Sequence, residues 1–120
     1  MQVVAKILVG AVAAIHVYIL MLEMFLWQKP RTRAAFGMDA DAARVTAPLA
    51  ANQGLYNGFL AAGLIWGLIA SAAVGYQVRV FFLICVAVAG IYGAVTATRR
   101  ILVVQFAPAA LALVAVLIAG

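Results

Sequence analysis

The stretch LAANQGLYNGFLAAGLIWG, residues 49–67, decides how many helices this chain has. Its second half is apolar and rich in glycine, as a lipid-buried helix is, while Asn52, Gln53, Tyr56 and Asn57 place hydrogen-bonding groups in its first half. The surroundings favour a membrane helix throughout. Of the 120 residues 69% are apolar and 9% charged, and the mean hydropathy of +1.20 lies far outside the range of a soluble domain.

A bilayer core about 30 Å thick takes roughly 20 apolar residues per helix. Runs of that length lie at about 3–27, 48–74, 80–98 and 102–119. They are continuous and rich in Ala, Leu, Val and Gly, without the alternation a transmembrane barrel requires. The expected fold is therefore all-α: a polytopic membrane protein with one domain over 1–120, a four-transmembrane-helix bundle with one longer interfacial connection after helix one. Lys6 followed by ILVGAVAA resembles a signal peptide, but the apolar run continues to Trp27, so this helix is expected to be retained. Cys85 is the single cysteine, so no internal disulfide is expected.

The net charge of +5 comes from basic residues at helix ends, which argues for membrane orientation and against nucleic acid. Lys29, Arg31, Arg33 and Arg44 lie in the first connection and Arg99 and Arg100 in the third, against Lys6 and Arg79 on the other side. The positive-inside rule then puts the first and third connections in the cytoplasm and both termini outside. A bacterial inner (cell) membrane is the expected location.

Within the first connection, residues 28–47, Lys29-Pro30 is expected to end helix one. Asp39 is expected to cap a short helical turn through about Val45, and Thr46 to cap helix two, with Pro48 in its first turn. The basic trio Lys29, Arg31 and Arg33 suits anionic membrane lipid. Gly54 and Gly58 form one small-residue row; Gly63, Gly67, Ser71 and Gly75 form another, and Ala89, Gly93 and Ala97 a third. Such rows let helix backbones approach closely, within the chain or in a homo-oligomer.

Polar residues at membrane depth are functional candidates, because an ionisable group there is costly unless paired or wetted. Helix one carries His16 and Glu23, seven residues apart on one helical line and about 10 Å apart along the axis. Asn52, Gln53, Tyr56 and Asn57 of helix two, Tyr92 and Thr96 with Arg99 or Arg100 of helix three, and Gln105 of helix four fall at a similar depth. Pro108 leaves the Val104 carbonyl without its usual donor beside them. The inference is a polar cavity toward the cytoplasm. In it His16 and Glu23 are the candidate proton-handling or catalytic pair, and Asn52, Gln53, Tyr56, Asn57, Tyr92, Thr96, Arg99, Arg100 and Gln105 the candidate substrate-binding set. Glu23 paired with Arg99 or Arg100 would stay ionised; unpaired, it is a candidate proton carrier. The duller readings are a structural ion pair for Glu23, a core hydrogen bond for His16, belt aromatics, and amides that only hold helices together.

The pattern HxYILxLEMFxW from His16 to Trp27, the Pro30 and Arg33 region with Phe36-Gly37, and LAANQGLYNGFLAAGLIWG together resemble the bacterial family of small four-helix membrane proteins catalogued as domain of unknown function thirteen-oh-four. The resemblance covers essentially the whole chain, with the Asn-Gln-Gly-x-Tyr-Asn-Gly block its specific part. It implies a four-helix inner-membrane protein and no particular activity.

One His and one Cys exclude a His/Cys zinc site within one protomer, and no phosphate loop, dinucleotide fingerprint or serine-nucleophile motif is present, so neither metal nor cofactor is expected. Three readings remain: proton-coupled binding or transport of a small solute, a membrane-embedded enzyme acting on a lipid or quinone-like substrate, and a non-catalytic assembly subunit. Transport or binding leads, because helix one holds an ionisable pair and no cofactor motif supports catalysis.

Overall fold

A computed structural model describes all 120 residues, and the chain is all-α. Five helices follow one another: α1 Gln2–Met24, α2 Pro30–Phe36, α3 Ala40–Ile69, α4 Ala72–Thr96 and α5 Ala107–Ala119. A π-helical segment, Leu102–Phe106, runs directly into α5. The helix count therefore exceeds the expected four, because the first connection folds its own helix, α2.

Three helices are long and apolar enough to cross a membrane: Gln2–Met24, Ala72–Thr96 and the continuous Leu102–Ala119. Their large apolar residues point outward, among them Ile7, Phe81, Val88, Val95, Leu111 and Ile118, whereas His16 and Arg79 are buried. Outward apolar faces over inward polar groups are the arrangement a bilayer favours. The fourth long helix, α3, has 30 residues and so spans about 45 Å. It falls outside that set because Asp41, Arg44, Asn52, Gln53 and Asn57 lower its hydropathy.

The connection between α1 and α3 corrects two expectations. Pro30 does not close α1, which ends at Met24; it opens α2 in the first turn, where a missing N–H is harmless, behind an extended Lys29 (φ −68°, ψ 146°). Gly37 then ends α2 with φ 66°, and Met38 N–H donates to the Arg33 carbonyl, a Schellman closure that favours glycine. Asp39 caps as expected, its Oδ1 accepting from Ala42 N–H at 2.7 Å. The helix it caps does not stop near Val45 but runs on to Ile69, so Thr46 and Pro48 lie in the helix interior. Thr46 is no cap; its hydroxyl donates to the Ala42 carbonyl one turn back.

Further on, α4 starts at Ala72, eight residues before the expected boundary, and α3 correspondingly ends at Ile69. Before Pro108 the chain answers the missing donor by widening its turn: Ala107 N–H bonds the Leu102 carbonyl, five residues back.

The chain forms two compact units, His16–Phe59 and Met1–Ile15 with Leu60–Gly120. In the latter, Val9, Val12, Leu64, Leu83, Val86 and Val116 form the centre of an apolar core together with small alanines of α5. Gly90 lets the π segment press onto α4, since a Cβ there would lie 2.8 Å from Phe106 N. In the former, Thr32, Ala43 and Ala50 are buried around the α1–α2–α3 connection.

Candidate functional site

The C-terminal end of α1 carries Glu23, and the middle of α3 carries Asn57. Asn57 Nδ2 donates to Glu23 Oε1 at 2.6 Å, a short bond between two partly buried side chains. Glycine sets this distance. A Cβ on Gly54 would stand 2.5 Å from Met24 Cγ, 3.1 Å from Glu23 Cβ and 3.3 Å from the Leu20 carbonyl oxygen, and one on Gly58 would stand 2.7 Å from Leu20 Cδ1. The Gly54/Gly58 row therefore faces α1 of its own chain. Of the second row, Gly63 faces Phe82 and Gly67 faces Arg79 and Val78, while Ser71 and Gly75 fall at the start of α4.

Beside the pair, Trp27 Nε1 donates to Thr46 Oγ1 at 3.0 Å, and its ring lies 5.0 Å from that of Phe36. This anchor ties the residues after α1 to both α2 and α3. It was hidden in the sequence by the reading of Thr46 as a helix cap, which assigned its hydroxyl to a backbone donor.

The remaining predicted residues divide. His16 lies two turns before Glu23 on the same stripe and is fully buried. No buried side-chain nitrogen or oxygen in the chain lacks a partner, so His16 is a satisfied core residue. Asn52 is exposed and donates to the Pro48 carbonyl of its own helix at 2.9 Å. Gln53 is exposed, and Tyr56 is exposed with its ring 6.2 Å from Phe59. Tyr92, Thr96, Arg99, Arg100 and Gln105 belong to the other unit. There Tyr92 is 70% exposed, Thr96 donates to the Tyr92 carbonyl at 2.8 Å, Arg99 and Arg100 are exposed after α4, and Gln105 is partly buried in the π segment. Of the predicted set, then, Glu23 and Asn57 are joined directly. The partner of Glu23 is a neutral amide where the sequence pointed to Arg99 or Arg100.

A second buried ionisable residue escaped the sequence reading. Arg79 is 6% exposed and lies two turns inside α4, its Nη1 donating to the Gly67 carbonyl at 2.7 Å. Starting the helix at residue 80 had left it in a loop. Ala72 to Val74, expected at the end of helix two, and the residues from Gly75 to Arg79, expected as connection, are together the first turns of α4.

Residues 10–117 match the family described as "Protein of unknown function (DUF1304)". The chain belongs to this family. The DUF1304 match takes in Glu23, Trp27, Thr46, Asn57 and Arg79. A protein of Lactococcus lactis subsp. lactis (strain IL1403), "Uncharacterized protein YpaA", is 33% identical over 116 residues, which cover 95% of this chain and 97% of that one. No solved structure matches.

Proposed function

We propose that this DUF1304 protein spans the bacterial cell membrane four times, with α3 as the fourth span, and binds a small polar or cationic solute in exchange for a proton at Glu23. One observation carries the reading: the sole acidic side chain within the apolar helices is held by an amide and makes no ion pair. The other two acidic residues are exposed where α3 begins: Asp39 caps the helix, and Asp41 in its first turn pairs with Arg44 at 3.6 Å.

An arginine partner would fix Glu23 as a permanent anion. An amide does not, because Asn57 is neutral and its N–H can donate to a carboxyl oxygen in either protonation state. A cation arriving at the second carboxylate oxygen displaces the proton, and the Asn57 amide oxygen is left to accept from the solute. One proton leaves for each positive charge bound. His16 is buried on the same line of α1, about 10 Å deeper along the axis.

The close seating of Gly54 on Met24 and Glu23 favours a second reading, in which the bond only locks α1 to α3. Proton release decides between them. Purified protein in weakly buffered detergent with a pH indicator is titrated with a panel of organic cations. Release by the native chain, lost in Glu23→Gln and weakened in Asn57→Ala while both variants keep their helix content, supports exchange. No release by the native chain on any cation, with both variants less heat-stable than the parent, leaves the lock.

A further inference from the structure

The buried arginine of α4 lies away from Glu23, in the unit of Met1–Ile15 and Leu60–Gly120. There an open groove of about 470 Å³ lies where α1 begins, α3 ends, α4 begins and α5 ends. Among the residues that line it are Gln2, Lys6, Ala72, Tyr76, Arg79 and Gly120.

The charged side chains of this groove are all of one sign. All three acidic side chains of the protein, Glu23, Asp39 and Asp41, lie between His16 and Phe59, so the unit that holds the groove has four basic side chains and no acidic one. Arg79 is 94% buried by its 6% exposure, yet it has a single hydrogen bond, Nη1 to the Gly67 carbonyl. No buried nitrogen is left orphaned, so the remaining guanidinium donors open onto the groove. Burying a guanidinium without a counter-anion costs several kcal/mol, which is why such residues are nearly always paired.

The backbone is shaped around this one side chain. A Cβ on Gly67 would lie 2.7 Å from Arg79 Cγ, and one on Gly75 would lie 3.0 Å from Arg79 Nη1. Two glycines thus make the seat that holds the guanidinium at the groove. The start of α4 adds donors: Ser71 makes no side-chain cap, so the first-turn N–H groups at Ala72 and Ala73, which line the same groove, carry the positive end of the helix dipole. Lys6, which is exposed, supplies a second cation to the lining. Neither Lys6 nor Arg79 makes an ion pair with the terminal Gly120.

We infer that this groove is a binding site for a phosphoryl oxyanion, taken from a phospholipid headgroup or as free phosphate, with Arg79 as the fixed fork, Lys6 as the closing cation and the start of α4 as backbone donors. Four helix termini meet there, and helix termini stand at the headgroup layer of a bilayer, so the lipid phosphate is the source the position favours. The site is independent of the Glu23–Asn57 pair.

The test is calorimetric titration of the full chain in uncharged detergent with two probes at matched ionic strength: inorganic phosphate, and a short-chain phosphatidylglycerol below its micelle concentration. A short-chain diacylglycerol lacking phosphate is the control. The expected result is saturable binding of the phosphatidylglycerol, no binding of the control, and affinity lowered about tenfold or more in Lys6→Gln and Arg79→Gln, the scale of one lost charge-assisted hydrogen bond. Inorganic phosphate binding equally well and competing for the site identifies free phosphate as the source. Lys6 is exposed, so its variant keeps the test decisive even where Arg79→Gln unfolds. Equal affinity of native and Lys6→Gln protein for both probes, or equal binding of the diacylglycerol, overturns the inference.

Discussion

At the residue scale, glycine decides what meets what, and the neighbour of each missing Cβ ranks the consequences. Gly90 faces backbone, with Phe106 N at 2.8 Å and Phe106 Cα at 2.9 Å, and backbone cannot swing aside. Gly90→Ala is expected to destabilise by about 2–3 kcal/mol, read as thermal unfolding in detergent by far-ultraviolet circular dichroism. Gly54→Ala presses chiefly on the flexible Met24 side chain and is expected to cost less, about 1 kcal/mol. Gly10 has nothing within 4 Å of a built Cβ, so Gly10→Ala is expected to be neutral or to stabilise α1 by about 0.5–1 kcal/mol. A reversed order among the three would mean that the helices seat differently. Both members of the Glu23–Asn57 pair were legible as polar groups at one depth, and so was the glycine row beside them. Their pairing was not, because the choice between amide and guanidinium depends on how far each helix is rotated about its axis, which spacing within one helix does not fix.

At the element scale, local signals located helix ends better than helix starts: the four long helices end within five residues of the expected positions, whereas α3 and α4 each start eight residues early. Asp39 was legible as a cap, since an Asx oxygen with a free backbone donor three residues on is a local event. The length of α3 was not, because Thr46 and Pro48 both carry start signals and only the tertiary partner Trp27 reveals that Thr46 faces another side chain. Asp39→Ala is expected to cost about 1 kcal/mol and to fray the first turns of α3. Fraying reaches Thr46, so the expected readout is a shift of Trp27 emission in a Trp66→Phe background, absent when Thr46→Val has already removed the acceptor. The proline of α5 was legible as a defect. That the chain would absorb it in a π segment was not, since this depends on Gly90 leaving room for Phe106 on a separate helix.

At the scale of the whole molecule, the helical, membrane-span-like character was legible from composition alone, as hydropathy is a bulk property. For sidedness, charge makes a definite prediction. Single cysteines at Thr98 and at Ala73, introduced into a Cys85→Ala background, are expected to be labelled by a membrane-impermeant maleimide from opposite faces of the membrane, Thr98 from the cytoplasmic one. Labelling of both from one face would mean that α4, whose two ends they mark, does not cross the membrane. The 45 Å length of α3 carries a further consequence. With Ile69 at one boundary of a bilayer core of about 30 Å, Asn57 stands about 18 Å in, and roughly 15 Å of helix rises beyond the opposite boundary. The depth of the Glu23–Asn57 pair below that surface is then set by the lipid as much as by the protein. Acyl-chain length becomes a dial on how wet the carboxyl is: thin bilayers should hydrate it and speed proton exchange, thick ones should seal it.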